Sequence, residues 1–366
     1  MKLHLVNDEK IINRTIGEFE KVFPGENLWV VANRATDFKL VENRDNVMAR
    51  GEFLSKQKEE HFEEIYIHLL NPRKISLLSK IDLKGSKVYW IVWGLDLYNK
   101  LLVPKGFRLF AEGNSINKGH KIAGFFKNLC RKKEARKTIR FISDHIDYIV
   151  TDTTEIDYDY LIRYYPELRN KRWKDFFYYP IDVILNAELM KSETNGTDIM
   201  IGNSASATNN HEYVIDILSR LDTKGRRIVV PLSYSGKKAY VKEVIRKGNA
   251  SFGEDFHPLL KFMPLEEYNR QQASTSVAIF GNLRQEAIGN IIIALYLGAK
   301  VFLIKSNPVY EWAQRHGLKV YDLECITQED LDTPLDSQTR QRNREILKSL
   351  YTRERMHELI SQLPEK

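Results

Sequence analysis

Residues 199–211 read IMIGNSASATNNH. An apolar run ends on Gly202, a small polar loop follows, and the amphipathic stretch 209–221 begins behind it. That order is a strand feeding a helix through a tight turn, with the helix capped near Thr208 or Asn209. The same alternation continues outward. Apolar runs at 228–232, 259–263, 277–280, 301–304 and 320–323 read as strands, and stretches at 237–247, 265–272, 284–297 and 308–315 read as helices. The first half carries an earlier round, with strands at 2–6, 28–32, 65–69, 88–93, 148–151 and 176–179 and helices such as 9–22 and 154–164. Strands alternating with helices predict βαβ units and parallel sheets. Two rounds predict two doubly wound α/β domains. Tyr179-Pro180 and the polar KSETNGT at 191–197 read as the join. We expect one domain over 1–190, a second over 191–335 and a helical segment over 336–366. Ligands of open α/β sheets sit outside the carboxyl ends of the strands. Two such domains facing each other would leave a cleft lined by strand-to-helix loops.

Composition agrees. A chain of 366 residues, 43% hydrophobic and 29% charged, has the length and balance of two globular domains. Two cysteines, Cys130 and Cys325, exclude a disulfide scaffold and a Cys-rich zinc module. No apolar run approaches the ~20 residues of a membrane span. The opening MKLHLVNDEK turns charged too early for a secretory signal, so a cytoplasmic protein is expected. The net charge is +7, and residues 101–150, with eleven Lys/Arg against four Asp/Glu, hold the whole excess. Nucleic-acid binders spread their charge along a face, and no RNA-recognition or zinc-finger signature is present. Nucleic acid is therefore not an expected partner.

Four stretches carry candidate chemistry. At 199–211, Gly202 lets a ligand approach the backbone, and open amides at the helix start attract phosphate. Asn203, Ser204, Asn209 and His211 add hydrogen-bonding groups. No GK[ST] follows and there is no G-x-G-x-x-G, so this is neither a P-loop nor the dinucleotide fingerprint. The alternative is an ordinary turn with a Ser or Asn cap. Residues 280–290, FGNLRQEAIGN, put Arg284, Gln285 and Glu286 in a loop before another helix. Arg284 suits a phosphate and Glu286 suits sugar hydroxyls; alternatively Glu286 only caps the helix. Residues 89–98, YWIVWGLDLY, place Asp96 just past Gly94, beside Trp93 and Tyr98. Partial burial there would make it a general base, and the alternative is an Asx-turn. His68 in IYIHLLN and His4 in KLHLVND, with Asp8 behind it, lie on strands at the same edge, where a histidine is also at home as a core residue. No His, Cys, Asp or Glu pattern has metal-ligand spacing, so no metal and no cofactor is expected. Residues 118–141, KGHKIAGFFKNLCRKKEARKTIRF, set Ile122, Phe125, Phe126 and Leu129 on one helical face among the Lys/Arg at 121, 127, 131, 132, 133, 136, 137 and 140. Such a helix lies on an anionic bilayer, with Phe125, Phe126, Arg131, Lys132 and Lys133 in contact; the alternative is that its apolar face packs into its own domain.

At these residues the chain resembles glycosyltransferase family 56, the bacterial 4-acetamido-4,6-dideoxygalactose (Fuc4NAc) transferases. The matching stretches are WGLDLY at 93–98, IGNSASATNNH at 201–211, VVPLSY at 229–234 and RQEAIGN at 284–290, in register with His4, Asp8 and the HLLN of 68–71. The resemblance implies a GT-B glycosyltransferase of two facing Rossmann-like domains. It further implies a TDP-sugar donor, a polyprenyl-diphosphate-linked glycan acceptor, and work at the cytoplasmic face of the inner membrane, as in synthesis of enterobacterial common antigen. Donor binding would fall to Gly202, Asn203, Ser204, Asn209, His211, Tyr234, Arg284, Gln285, Glu286, Gly289 and Asn290. Asp96 or His68 would act on the acceptor hydroxyl, and His4, Asp8, Trp93, Gly94 and Tyr98 would hold the acceptor. Two departures from the pattern, a shorter PLSYSGKKAY loop after Val230 and Glu286-Ala287 in place of Gln-Gly, fall where the donor would sit. A family member using another nucleotide-sugar, for O-antigen or capsule, therefore stays open, as does a non-catalytic binding protein on the same fold.

Overall fold

The structure is a computed structural model that describes residues 1–56, 61–114, 121–152, 155–194 and 196–364. Its first sheet comprises β1 (Lys2–Val6), β2 (Asn27–Val31), β3 (Val47–Ala49), β4 (Glu64–His68), β5 (Lys87–Ile91), β6 (Tyr148–Thr151) and β7 (Arg172–Asp175), in the order β3-β2-β1-β4-β5-β6-β7. The second comprises β8 (Asp198–Ile201), β9 (Ile228–Pro231), β10 (Phe256–Leu259), β11 (Thr275–Phe280), β12 (Lys300–Leu303) and β13 (Tyr321–Asp322), in the order β10-β9-β8-β11-β12-β13. All the strand pairs described are parallel. Each sheet winds outward from its first strand and then resumes on that strand's other side. The reversal lies between β1 and β4 in one and between β8 and β11 in the other, which is where a crevice opens at the carboxyl edge.

Helices cover both faces of a parallel sheet, so its central strands are apolar throughout. In the second sheet Ile199, Ile201, Val277 and Ile279 pack in one core with Val214, Ile215 and Leu218 of the helix His211–Leu218. Edge strands lack that cover, and there the apolar runs mislead. The strand expected at 176–179 is β7 instead, the polar RWKD, and Phe176 and Phe177 are buried just after it. The one expected at 259–263 is β10, and Leu260 and Phe262 beyond it are exposed.

The chain forms two compact units. The first is Met1–Phe107, Ile122–Tyr178 and Glu354–Lys366; the second is Arg108–Lys121 and Tyr179–Arg353. The division therefore falls at 178/179, not 190/191. Nor does the terminal segment stand apart: the helix Ser337–Leu350 belongs to the second unit and most of the helix Arg353–Gln362 to the first.

Candidate functional site

In the second unit β8 pairs with β11 so that Ile201 lies opposite Ile279, and both chains leave the sheet at one level. Gly202 follows with φ +69°, and a Cβ there would lie 2.6 Å from Asn209 Oδ1 and 2.9 Å from His211 Nε2. The loop beyond is held by its own side chains. Asn203 N donates to Asn209 Oδ1 (3.0 Å), and Asn209 Nδ2 donates to Ser204 Oγ (3.3 Å). Asn210, at φ +50°, donates to Thr208 O and Gly281 O and accepts from Ala111 N and Asn114 Nδ2. The expected cap at Thr208 or Asn209 is a single tight turn, Ala207–Asn209, and the helix starts at His211.

This loop corrects part of the expectation. Ser204, Asn209 and His211 are buried, so they shape the loop and do not face a ligand. His211 N and Nδ1 both meet Tyr240 OH, so this helix start is not an open anion site. Burial holds the His211 imidazole neutral, with a pKa lowered to about 3.

The second loop supplies what the first does not. Glu286 Oε2 accepts from Thr208 Oγ1 (2.5 Å), Asn282 Nδ2 (2.9 Å) and Arg284 Nη2 (3.1 Å). One carboxylate oxygen thus joins the two motifs. Glu286 does not cap the helix Ile288–Leu297, which follows Ala287 at φ +63° with no side-chain cap. Among the described residues none accepts a hydrogen bond from the amides of Ile288, Gly289 or Asn290. Three open amides at the positive end of a helix dipole attract an anion. Arg284, in the same loop, is itself buried, with Nη1 donating to Gln285 O (3.1 Å) and Nη2 on Glu286; its Nε is left without a partner. Tyr234, 45% exposed, accepts from Asn203 Nδ2 (3.3 Å), whose Oδ1 also lacks a partner. Gln285, Glu286, Gly289 and Asn290 are partly exposed. Asn290 Oδ1 faces Gln272 Nε2 at 3.5 Å, and Gly289 lies against the ring of Tyr179.

In the first unit the expected residues form a buried frame. His4 is stacked between Trp29 (3.9 Å) and Tyr66 (4.7 Å) and is fully buried, so it cannot touch an acceptor. A chain of hydrogen bonds runs through it. Asn27 Nδ2 donates to Glu20 and Phe23 O, so its Oδ1 accepts, here from His4 Nε2 (3.2 Å). His4 Nδ1 is then the acceptor for His68 Nε2 (3.2 Å), His68 Nδ1 accepts from Tyr178 OH (2.6 Å), and Tyr178 accepts from Trp93 Nε1 (2.7 Å). Every donor points the same way, which fixes both tautomers. Burial keeps both rings neutral: His4 is lowered to about 3 and His68 well below its usual range.

Asp96 is fully engaged. Its Oδ2 accepts from Leu70 N (2.8 Å) and Trp90 Nε1 (2.7 Å), and its Oδ1 from Trp93 N (2.9 Å) and Leu97 N (3.2 Å). Burial pushes its carboxyl up despite these donors. It pins two turns, one at Gly94 (φ +72°) and one at Leu69 (φ +64°). Lys74, missed in the sequence, holds the second turn by donating to His68 O and Leu69 O, and burial lowers its amine to about 7. Asp8 takes four donors, from Arg34, Lys39, Leu40 and Val41. Burial raises its carboxyl, and those donors bring it below the ordinary range. Tyr98 is buried with its hydroxyl on Asp157. Asp8 and Tyr98 are therefore structural, and of the expected acceptor contacts Trp93 alone has a partly exposed side chain.

The helix Lys121–His145 buries Ala135, Ile139 and Ile142 in the first unit, while Arg131, Lys132, Lys133 and Leu129 are exposed. Phe125 and Phe126 lie outside the residues whose side chains are described. Among the described residues no helix is long and apolar enough to cross a membrane, and no three His, Cys, Asp or Glu gather as around a metal ion.

The sequence matches the family model of 4-alpha-L-fucosyltransferases, glycosyl transferase group 56, over residues 150–348. The fold is similar to that of HepE from Anabaena, solved with UDP and glucose (TM-score 0.68, 11% identity, covering 99% of this chain and 98% of that one). It is also similar to sucrose-phosphate synthase from Thermosynechococcus elongatus (0.67, 10%, 99% and 97%) and to a glycosyltransferase from Rickettsia africae (0.60, 11%, 98% and 95%).

Proposed function

The chain belongs to the 4-alpha-L-fucosyltransferase family, glycosyl transferase group 56, and on that premise we propose that it moves a Fuc4NAc-like deoxy-amino sugar from a TDP-sugar to a polyprenyl-diphosphate-linked oligosaccharide. It is a glycosyltransferase of the hexosyltransferase type with the GT-B fold, two Rossmann-like units. The pathway in this reading is synthesis of a bacterial surface polysaccharide, at the cytoplasmic face of the inner membrane. Arg131, Lys132 and Lys133 would contact the anionic surface.

One observation carries the donor half of the reading: the open first turn of the helix Ile288–Leu297, beside Arg284 and Glu286, at the reversal between β8 and β11. The acceptor hydroxyl oxygen forms a bond to the anomeric carbon as the bond to the diphosphate breaks. Negative charge grows on the leaving diphosphate, and the amides of 288–290 and Arg284 offset it. Tyr234 stacks on or hydrogen-bonds the nucleotide, and Asn203, Gln285 and Glu286 bind sugar or ribose hydroxyls. In the first unit His68, whose Nδ1 accepts from Tyr178 OH, is the group assigned to the departing proton in this reading. Asp96 holds the turns that place these groups.

Thermal-shift titration with TDP, UDP and GDP tests the donor half. TDP is expected to stabilise most. Stabilisation by UDP or GDP alone would favour the family member with another donor, and none from any of the three would sink the reading.

A further inference from the structure

A cavity of about 890 Å³ opens on the first unit between residues 103–106 and one face of the helix Lys121–His145. Its floor is apolar, from Val103, Pro104, Ala135 and Ile139. Its walls are cationic: Lys105 on one side, and Lys132, Arg136 and Arg140 on the other, spaced four residues apart along the helix. Like charges at that spacing repel, so the helix gains nothing from them by itself. Arg140 Nε lies 3.6 Å from Asp144, which with Glu167 supplies the acids at the rim. Lys132 and Arg136 are exposed and have no carboxylate partner among the described residues. Nothing in the proposed sugar transfer uses this groove.

We infer that the groove binds a single membrane phospholipid headgroup, its phosphate on the cations and the first carbons of its chains on the apolar floor. This rests on the reading that the enzyme works at an anionic membrane, and adds the site. A free anion would leave the apolar floor unused. A flat charged surface would attract every exposed cation of the helix alike, Lys133 as much as Lys132.

The test uses the full chain and dihexanoyl-phosphatidylglycerol below its micelle concentration, titrated by calorimetry, with flotation on phosphatidylcholine/phosphatidylglycerol vesicles beside it. Two triple variants lose equal charge: Lys132→Gln/Arg136→Gln/Arg140→Gln lines the groove, and Arg131→Gln/Lys133→Gln/Lys137→Gln does not. Both are expected to keep the wild-type unfolding midpoint. The groove triple is expected to bind the short-chain lipid at least tenfold more weakly. The other triple is expected to stay within twofold of wild type while floating less. Inorganic phosphate is expected to bind at least tenfold more weakly than the lipid. Equal loss in both triples, or phosphate binding as tightly as lipid, would overturn the inference. A wild type that floats without binding short-chain lipid would overturn the groove alone. One that does not float would overturn the membrane reading and the lipid assignment with it.

Discussion

Asp96 shows how a single side chain changes its meaning on folding. In YWIVWGLDLY it reads as a base or as a turn former, and the sequence cannot say how many donors will surround it. Four do, from stretches as far apart as Leu70 and Leu97. Replacing it by Asn puts an NH₂ against N–H donors inside a buried site, so Asp96→Asn is expected to cost about 1–3 kcal/mol of stability. Urea unfolding measures this. A variant of wild-type stability whose turnover collapses would restore Asp96 as the base. Lys74 was illegible for a related reason: nothing in NPRK marks a lysine whose amine folds back onto Leu69. Burial lowers its pKa to about 7, with Asp96 and Glu9 partly opposing the shift. Above pH 7 the unfolded chain holds a proton that the folded chain has released, so stability rises with pH. The gap between wild type and Lys74→Met is expected to shift in favour of wild type from pH 7 toward 10, by at most about 1.4 kcal/mol per pH unit. A flat gap would mean the amine is not held in its neutral form. Gly202 was readable as a glycine at a strand end but its reason was not: the sequence suggested room for a ligand, and the space a Cβ would take is filled by Asn209 and His211.

Among elements, the central strands were legible and the edge strands were not. β1, β4 and β11 announce themselves because both faces are covered; β7 has a polar sequence because one side of it meets solvent. The two loops at the reversal of the second sheet were found from their residue types. Their linkage was not, because it depends on Thr208 and Asn282 reaching one oxygen of Glu286. Glu286→Ala leaves Thr208, Asn282 and Arg284 without that acceptor and frees the loop ahead of the open helix turn. Nucleotide affinity, read by calorimetry, is expected to fall at least tenfold, with a smaller fall for Glu286→Gln, which keeps an acceptor oxygen. Unchanged affinity in both variants would remove Glu286 from the donor site. The Tyr178 end of the histidine chain lay inside an apolar run read as a strand, which is why its hydroxyl escaped notice.

At the scale of the molecule, repetition of the βαβ pattern predicted two units, but not that the chain returns to the first. Met356, Leu359, Ile360 and Leu363 are buried, and His357 Nε2 lies 2.6 Å from Glu18 Oε2 across 339 positions of sequence. Truncating Ile360 to Ala is expected to cost about 2–5 kcal/mol in the first unit and to leave nucleotide binding by the second unchanged. Differential scanning calorimetry with and without nucleotide separates the two. A loss of nucleotide binding equal to the loss of stability would show that the units do not unfold independently.

That return also sets an order of events during synthesis. On a ribosome, residues 179–353 are made as one uninterrupted stretch, and the helix that completes the first unit follows them. The earlier unit must wait, its apolar interior open, until the helix Arg353–Gln362 has cleared the exit tunnel. For that interval the nascent protein offers a chaperone its amino-terminal half, although that half was made first.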